Sequence, residues 1–226
     1  MKEINTKIYK STFAYKVINN DLLNGMLNHA YLICGEDDVL NKLVCVEIAK
    51  HVFCGENNAP CGKCLSCTKI EHNNQVDLKF FPLSNKGFSV EDANAIVEEA
   101  NILPYENNIK IYVINNFENA TVQAQNKLLK TIEEPPKSAM FLINTVNANK
   151  VLNTILSRTK KINVGSVNTE LIKEFLVGKT ENVNQIAELS LGGLTRANAL
   201  ISDDKIIEIN NICKNVFVNL NASHQV

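Results

Sequence analysis

The sequence lacks a long apolar run, a leader-like apolar segment and an excess of charge of either sign. No stretch approaches the roughly 18 consecutive apolar residues that a membrane-spanning helix requires. Residues 1–20 mix charged and polar side chains with isolated apolar ones, unlike a signal peptide. The formal net charge of −1 gives no overall attraction to nucleic acid, so a DNA contact would need a local patch or a partner subunit. We therefore expect a cytoplasmic protein that does not contact the membrane.

What the sequence does contain is an alternation of strand patterns and helix patterns over residues 1–165. Its 226 residues are 45% hydrophobic and 21% charged, which is ordinary for a globular protein. Short runs of branched and aromatic residues between helical patterns predict an α/β domain with a mostly parallel sheet covered by helices. The five predicted strands are residues 29–34, 78–83, 109–116, 139–146 and 160–164. The predicted helices between them are residues 39–53, a helix opened by Ser89, residues 120–134 and a helix around 150–156.

The strand pattern stops after residue 165, and helical patterns follow one another from there. We expect a small all-α domain over residues 166–226, whose last helix begins a further part of the structure. The predicted helices are residues 169–177, 183–191, 194–201 and 204–220.

Four of the seven cysteines lie close together in the sequence. With the spacing C-x(6)-C-x(2)-C-x(2)-C, they are Cys54, Cys61, Cys64 and Cys67. In a reducing compartment such a cluster indicates a metal site, and four thiolates complete the tetrahedral coordination of one structural zinc ion. We predict a zinc knuckle at about residues 54–67, with unrelated thiols or a redox pair as the alternative. The flanking His51 and His72 are predicted to be surface residues. The remaining cysteines are predicted to be small core side chains: Cys34, Cys45 and Cys213.

The turn after the first predicted strand lies where a nucleotide-binding α/β domain has its phosphate-binding loop. Such a loop needs glycines, a lysine that reaches the outer phosphates and a hydroxyl side chain. Here it reads GEDDVLNKL, in which Gly35 remains, Asn41 stands at the lysine position and Lys42 at the hydroxyl position. The acidic residues of this loop would also repel a triphosphate. A shift of one residue could bring Lys42 into place, but it would not restore the glycines.

The end of the third predicted strand is equally unsuited to ATP hydrolysis. An ATPase needs an acidic residue there for magnesium and usually a second one to orient water. This sequence has Asn115 and Asn116, whose amides neither hold a hard divalent cation as a carboxylate does nor accept a proton. We therefore expect no ATP cofactor and no intrinsic ATPase activity. The alternative is an unrelated α/β fold that never had a nucleotide site.

Four segments occur in one order along the chain: HAYLICG, the cysteine cluster, NKLLKTIEEPP at residues 126–136 and TILSRT at residues 154–159. Together they resemble the delta-prime subunits of the bacterial DNA polymerase III clamp loader, a family of the AAA+ superfamily. The resemblance spans about residues 29–199 and implies a RecA-like AAA+ domain followed by a helical lid. A helical collar completes the ring of five subunits in that family, and we expect it to be absent here.

The resemblance also implies a function in DNA replication. It implies a non-hydrolysing stator subunit that helps load the sliding clamp onto primed DNA. The family's Ser-Arg-Cys motif supplies an arginine finger to the ATP site of a neighbouring motor subunit, and it corresponds to Ser157, Arg158 and Thr159. The implied partners are the gamma/tau motor subunits, the delta subunit, the sliding clamp and, through the assembled complex, primer-template DNA. Arg196 resembles the lid arginine of active members, and we expect it to be vestigial or structural here.

Three other interpretations remain open from the sequence. The chain could be a motor-type clamp-loader subunit that still binds ATP through Lys42. It could be a zinc-knuckle module that binds nucleic acid on its own, although the segment offers only Lys63, Lys69 and Phe53 for such a surface. Arg158 could be a surface arginine in an ordinary salt bridge.

Overall fold

The computed structural model describes residues 2–84 and 87–202 of the protein. The chain divides into two compact units, Met1–Gly165 and Ser166–Val226. The strands are β1 (Ala30–Cys34), β2 (Leu78–Phe81), β3 (Lys110–Ile114), β4 (Ala139–Thr145) and β5 (Lys160–Asn163). The α-helices of the first unit are α1 (Lys2–Ser11), α2 (Phe13–Leu23), α3 (Asp38–Phe53), α4 (Leu65–Glu71), α5 (Val90–Ala100), α6 (Val122–Glu133) and α7 (Asn153–Leu156). Those of the second unit are α8 (Thr169–Leu176), α9 (Val183–Leu189) and α10 (Leu194–Ile201). The predicted helix at residues 204–220 and Cys213 lie outside the described residues.

The five strands form one parallel sheet in the order β2-β3-β4-β1-β5. Every residue of β1, β3 and β4 is buried, as expected for central strands of a parallel sheet that helices cover on both faces. The edge strands β2 and β5 are partly exposed. The predicted parallel α/β sheet is therefore confirmed. Because the strands are parallel, all five carboxyl ends lie at one edge of the sheet and all five amino ends at the other.

Helices cover the two faces of the sheet. On one face, α5, α6 and α7 pack with alternate strand residues into a single apolar cluster. Its largest members include Leu32, Phe88, Tyr112, Phe117, Leu128, Ile132, Phe141 and Ile155. The predicted start of α5 is confirmed, because Ser89 and Asp92 bond reciprocally to each other's backbone N–H in a capping box. On the other face, α3 contacts β1, β3 and β4.

The two N-terminal helices, which the sequence analysis did not predict, pack against α3. Tyr9 is fully buried, and its hydroxyl lies 3.0 Å from Nδ1 of His51 on α3. The ring of Tyr15 stacks on His51 at a centroid distance of 5.3 Å. The prediction that His51 is a surface residue is wrong: it is 3% exposed, because these helices cover it. The prediction for His72 is confirmed, since its side chain is exposed.

The helical unit consists of three short helices within the described residues. Asn168 caps α8 by accepting a hydrogen bond from the Glu170 amide at 2.8 Å. The buried apolar side chains of α8, α9 and α10 are Ile172, Phe175, Leu176, Ile186, Ala187, Leu194, Ala197 and Leu200. None of the helices in either unit, over the ranges that the structure describes, has the length and apolar character needed to cross a bilayer.

We expect His51 to make the first unit less stable as the pH falls from about 6.5 to about 4. Burial lowers the pKa of His51 from 6.5 to about 4, and Lys10 adds to the effect. In this window the unfolded chain takes up a proton at His51 and the folded protein does not. The free energy of unfolding therefore decreases as the pH is lowered. The loss corresponds to about 2–3 kcal/mol.

Urea unfolding at pH 7 and pH 5 tests this, with the pH dependence of His51→Phe compared with that of the unchanged protein. The substitution should flatten the dependence. His72→Phe is the matched control, because it removes an exposed histidine and should leave the dependence unchanged. An undiminished acid dependence in His51→Phe would show that another group is responsible.

Candidate functional site

The four clustered cysteines come together between α3 and α4. Their Sγ atoms all lie within 4.8 Å of one another, and those of Cys54 and Cys64 are 3.9 Å apart. A tetrahedral zinc ion with Zn–S bonds of about 2.3 Å holds its sulfur ligands about 3.8 Å apart. The four thiols therefore fit the coordination of one zinc ion.

The backbone of the knuckle is shaped to stabilise thiolates. Gly62 has a φ of +70°, which turns the chain so that the amides of Lys63 and Cys64 point at Cys61 Sγ from 3.4 and 3.2 Å. These two hydrogen bonds lower the pKa of Cys61 to about 7, and the bond from the Lys63 amide has the larger effect. Burial raises the pKa of Cys54 and of Cys67. A bound divalent cation would be needed to keep these two residues as thiolates at neutral pH.

A buried ion cluster fixes the two helices that flank the knuckle. Lys50 on α3 places Nζ 2.6 Å from Glu47 on the same helix and 3.1 Å from Glu71 on α4. All three side chains are almost wholly buried. Nearby, Lys69 on α4 pairs with both carboxylate oxygens of Glu106 at 2.7 Å. The ends of the knuckle are therefore held in place by contacts that do not involve the cysteines.

The turn between β1 and α3 is closed by its own side chains. The Asn41 amide is fully buried and donates to the Gly35 carbonyl at 2.7 Å and to the Thr145 carbonyl at 3.3 Å. A Cβ atom on Gly35 would lie 2.6 Å from Asn41 Oδ1 and 2.8 Å from the Val164 carbonyl oxygen, so only glycine fits at this position. Asp37 caps α3 by accepting a hydrogen bond from the Leu40 amide at 2.9 Å. A carboxylate of the chain itself thus occupies the helix N-terminus, where a phosphate would bind in a nucleotide site.

A chain of hydrogen bonds links α3 to the carboxyl ends of β3 and β4. Lys42 Nζ lies 2.7 Å from Asp38, and Asp38 accepts a 2.7 Å bond from the Asn116 side chain. The Asn144 amide donates to Asn115 at 2.6 Å and accepts from the backbone of Asn116 at 3.0 Å. The amides predicted to replace catalytic acids are therefore partners in a network. Asn144 was not predicted as part of this edge, and its position near the end of β4 is the only signal for it in the sequence.

Arg158 lies between α7 and β5, at the amino edge of the sheet. Its Nη2 is 2.7 Å from Glu133 Oε1 at the end of α6. Its Nη1 donates to the Thr154 carbonyl at 2.9 Å and to Ser157 Oγ at 3.1 Å. The guanidinium borders an open cavity of about 440 Å³, which also contacts Ser157, Thr159, Lys160 and His29.

The structure places Arg158 and the closed turn at opposite edges of the sheet. Gly35 directly follows β1, whereas Arg158 precedes β5, and these two strands are paired in parallel. The length of a five-residue strand, about 16 Å, separates the two positions. Arg158 therefore cannot reach the turn of its own chain.

The fold and this site define the class of the protein. A five-stranded parallel sheet in the order β2-β3-β4-β1-β5, with the nucleotide-loop position after a central strand, is a RecA-like AAA+ domain. Residues 10–168 match the family described as DNA polymerase III, delta subunit, and the chain belongs to that family.

Two relatives and one solved structure illustrate the similarity. The chain is 31% identical over 199 residues to the DNA polymerase III subunit gamma of Buchnera aphidicola subsp. Baizongia pistaciae, covering 83% of this chain and 54% of the relative. It is 30% identical over 191 residues to the DNA polymerase III subunit delta' of Bacillus subtilis, covering 77% and 57%. The chain therefore spans about half the length of these curated relatives.

The crystal structure of a DNA polymerase III gamma subunit-related protein from Thermotoga maritima superposes with a TM-score of 0.61 at 20% identity. The match covers 84% of this chain and 57% of that one. It supports the fold.

We expect protein purified without chelator to carry one zinc ion per chain, measured by elemental analysis of the protein. Cys64→Ser should lower the zinc content well below one and reduce the thermal stability, because removing a thiolate opens the coordination sphere. Cys34→Ala is the matched control, since this cysteine is buried in the sheet away from the cluster and should leave the zinc content unchanged. A metal-free unchanged protein would contradict the assignment.

Proposed function

We propose that this chain is a clamp-loader subunit of a bacterial replicative DNA polymerase that does not hydrolyse ATP. In the assembled ring it acts as a stator and supplies Arg158 as an arginine finger to the ATP site of a neighbouring motor subunit. The observation that carries the proposal is the position of Arg158 at the amino edge of the sheet, exposed and out of reach of the turn after β1. An arginine there can stabilise a transferring phosphoryl group only on another chain.

The closed turn supports the absence of intrinsic hydrolysis. A triphosphate would have to displace the Asp37 cap, break the bonds of Asn41 and approach the acidic side chains of the turn. Asn115 and Asn116 offer magnesium no carboxylate at the end of β3. We propose that the unit Ser166–Val226 corresponds to the helical lid that follows the AAA+ domain in this family. The proposed partners are gamma/tau-type motor subunits, a delta subunit, the sliding clamp and primer-template DNA reached through the complex.

A motor-type subunit that binds ATP is the second candidate. It is favoured by the gamma relative, which is as similar to this chain as the delta' relative is. A cavity of about 300 Å³ lined by Lys42, Asn115 and Asn116 could also accept part of a nucleotide. Against it, Lys42 is paired with Asp38 and the N-terminus of α3 is capped from within.

A zinc knuckle that binds nucleic acid independently has weaker support. Of the two lysines near the cysteines, Lys69 is held by both oxygens of Glu106, so its charge is largely compensated. Binding of single strands by such a module would require aromatic side chains for stacking as well as basic ones.

Calorimetric titration with ATP and magnesium should give no heat of binding and no thermal shift, because the turn after β1 is closed. A gamma/tau motor subunit titrated under the same conditions provides the positive control. Micromolar binding by this chain would contradict the proposal and favour the motor-type candidate.

Arg158→Ala should lower the ATPase rate and the clamp-loading rate of the assembled complex by about tenfold or more, since an arginine finger stabilises the transition state. Folding should be unaffected, because Arg158 is exposed. The matched control is Arg196→Ala, which removes the other arginine of the chain from α10. An unchanged rate in a complex that contains Arg158→Ala would refute the arginine finger.

A further inference from the structure

We propose that Glu133 is a competing counter-ion for Arg158, which holds the guanidinium against its own domain until the phosphates of a neighbouring nucleotide displace it. This inference rests on the proposed function of Arg158. It makes Glu133 a positioning residue that sets how readily the arginine engages.

The two terminal nitrogens of the Arg158 guanidinium have different kinds of partner. Nη1 donates to the Thr154 carbonyl at 2.9 Å and to Ser157 Oγ at 3.1 Å, and Ser157 Oγ itself donates to the Thr154 carbonyl at 3.1 Å. These partners belong to the same turn as Arg158, so they move with it. Nη2 instead pairs at 2.7 Å with Glu133, which belongs to α6. The ion pair with Glu133 is therefore the contact that ties Arg158 to a different element.

The pair is strong enough to orient Arg158 and weak enough to exchange. The side chains of Arg158 and Glu133 are 39% and 37% exposed, so water screens their attraction. A nucleotide phosphate offers several anionic oxygens in the geometry that a guanidinium binds with two parallel hydrogen bonds. Such bonds use Nη2, whose partner in the structure is the Glu133 carboxylate. A phosphate bound at this nitrogen would lie beside the carboxylate and repel it, so engagement favours the displacement of Glu133, while Thr154 and Ser157 can keep their bonds to Nη1.

Glu133 therefore makes it harder for Arg158 to bind a phosphate, and it does not change the rate of the chemical step that follows. The apparent affinity of a binding partner falls in proportion to the fraction of time that the competent state is populated. Glu133 lowers that fraction for Arg158. Once the phosphate is bound, Glu133 no longer contacts the guanidinium, so the rate at saturation is independent of it.

The test is the ATPase activity of the complex assembled with Glu133→Gln, measured as a function of ATP concentration. We expect the KM for ATP to fall about two- to fivefold, the range for loss of one exposed ion pair, with an unchanged kcat. Glu134→Gln is the matched control, because Glu134 is the adjacent exposed carboxylate and lies beyond the end of α6. It should leave both parameters unchanged.

The double variant Glu133→Gln/Arg158→Ala separates this role from a structural one. If Glu133 acts through Arg158, the substitution at residue 133 should have no effect once the arginine is removed. A lowered kcat in Glu133→Gln would overturn the proposal, since it would mean that the pair persists in the engaged state. An unchanged KM would also overturn it. If Arg158→Ala itself has no effect, the proposed function fails; if Arg158→Ala slows the complex and Glu133→Gln leaves the KM unchanged, only this inference fails.

Discussion

The parallel direction of the five strands is the constraint on which the rest of the structure depends. It places every strand end at one edge of the sheet and every strand start at the other. The turn after β1, the amides after β3 and Asn144 near the end of β4 are therefore neighbours, although more than 100 residues separate Gly35 from Asn144. Arg158 precedes β5 and so lies at the opposite edge. In this topology the position of a side chain relative to the strands decides where it can act. A group that follows a strand lies near the turn after β1 of its own chain, whereas a group that precedes a strand lies at the opposite edge, where it is available to a neighbour.

The residues that close the carboxyl edge also stabilise it. In an ATPase this edge must open to admit a triphosphate, and its polar groups are satisfied by ligand, magnesium and water. Here Asn41, Asp37 and Asn116 satisfy the corresponding backbone and side-chain groups within the chain. Each bond contributes about 1 kcal/mol, and an unpaired buried group would cost more than that. These residues thus fill the edge from within the chain, although Asn41 Oδ1 is itself buried without a hydrogen-bond partner, and the arrangement fits the proposed role as a fixed part of a ring.

Much of the α/β unit could be predicted from the sequence because its signals are local. Each predicted strand and each predicted helix of the alternating region is found within a few residues of its predicted position, since buried strands and capped helices carry strong patterns, whereas α4 beside the cysteines was not predicted. The N-terminal helices were missed, because their apolar residues are interspersed with charged and polar ones and acquire meaning only against α3. The prediction for His51 was wrong for the same reason, because no residue near it in the sequence indicates its contacts with Tyr9 and Tyr15. The Arg158–Glu133 pair joins segments that the sequence analysis quoted separately, and only the fold brings them together.

The knuckle and the sheet are coupled through α3, which connects the two chemically distinct regions. This helix begins at the Asp37 cap and ends at Cys54, and Lys50 near its end is locked between two carboxylates. Replacing one member of a buried ion cluster leaves an uncompensated charge and costs about 3–5 kcal/mol, so the register of α3 against α4 is tightly determined. The cysteines are therefore presented on a framework that the helices hold by themselves. A metal ion at this position would brace the loop between α3 and α4.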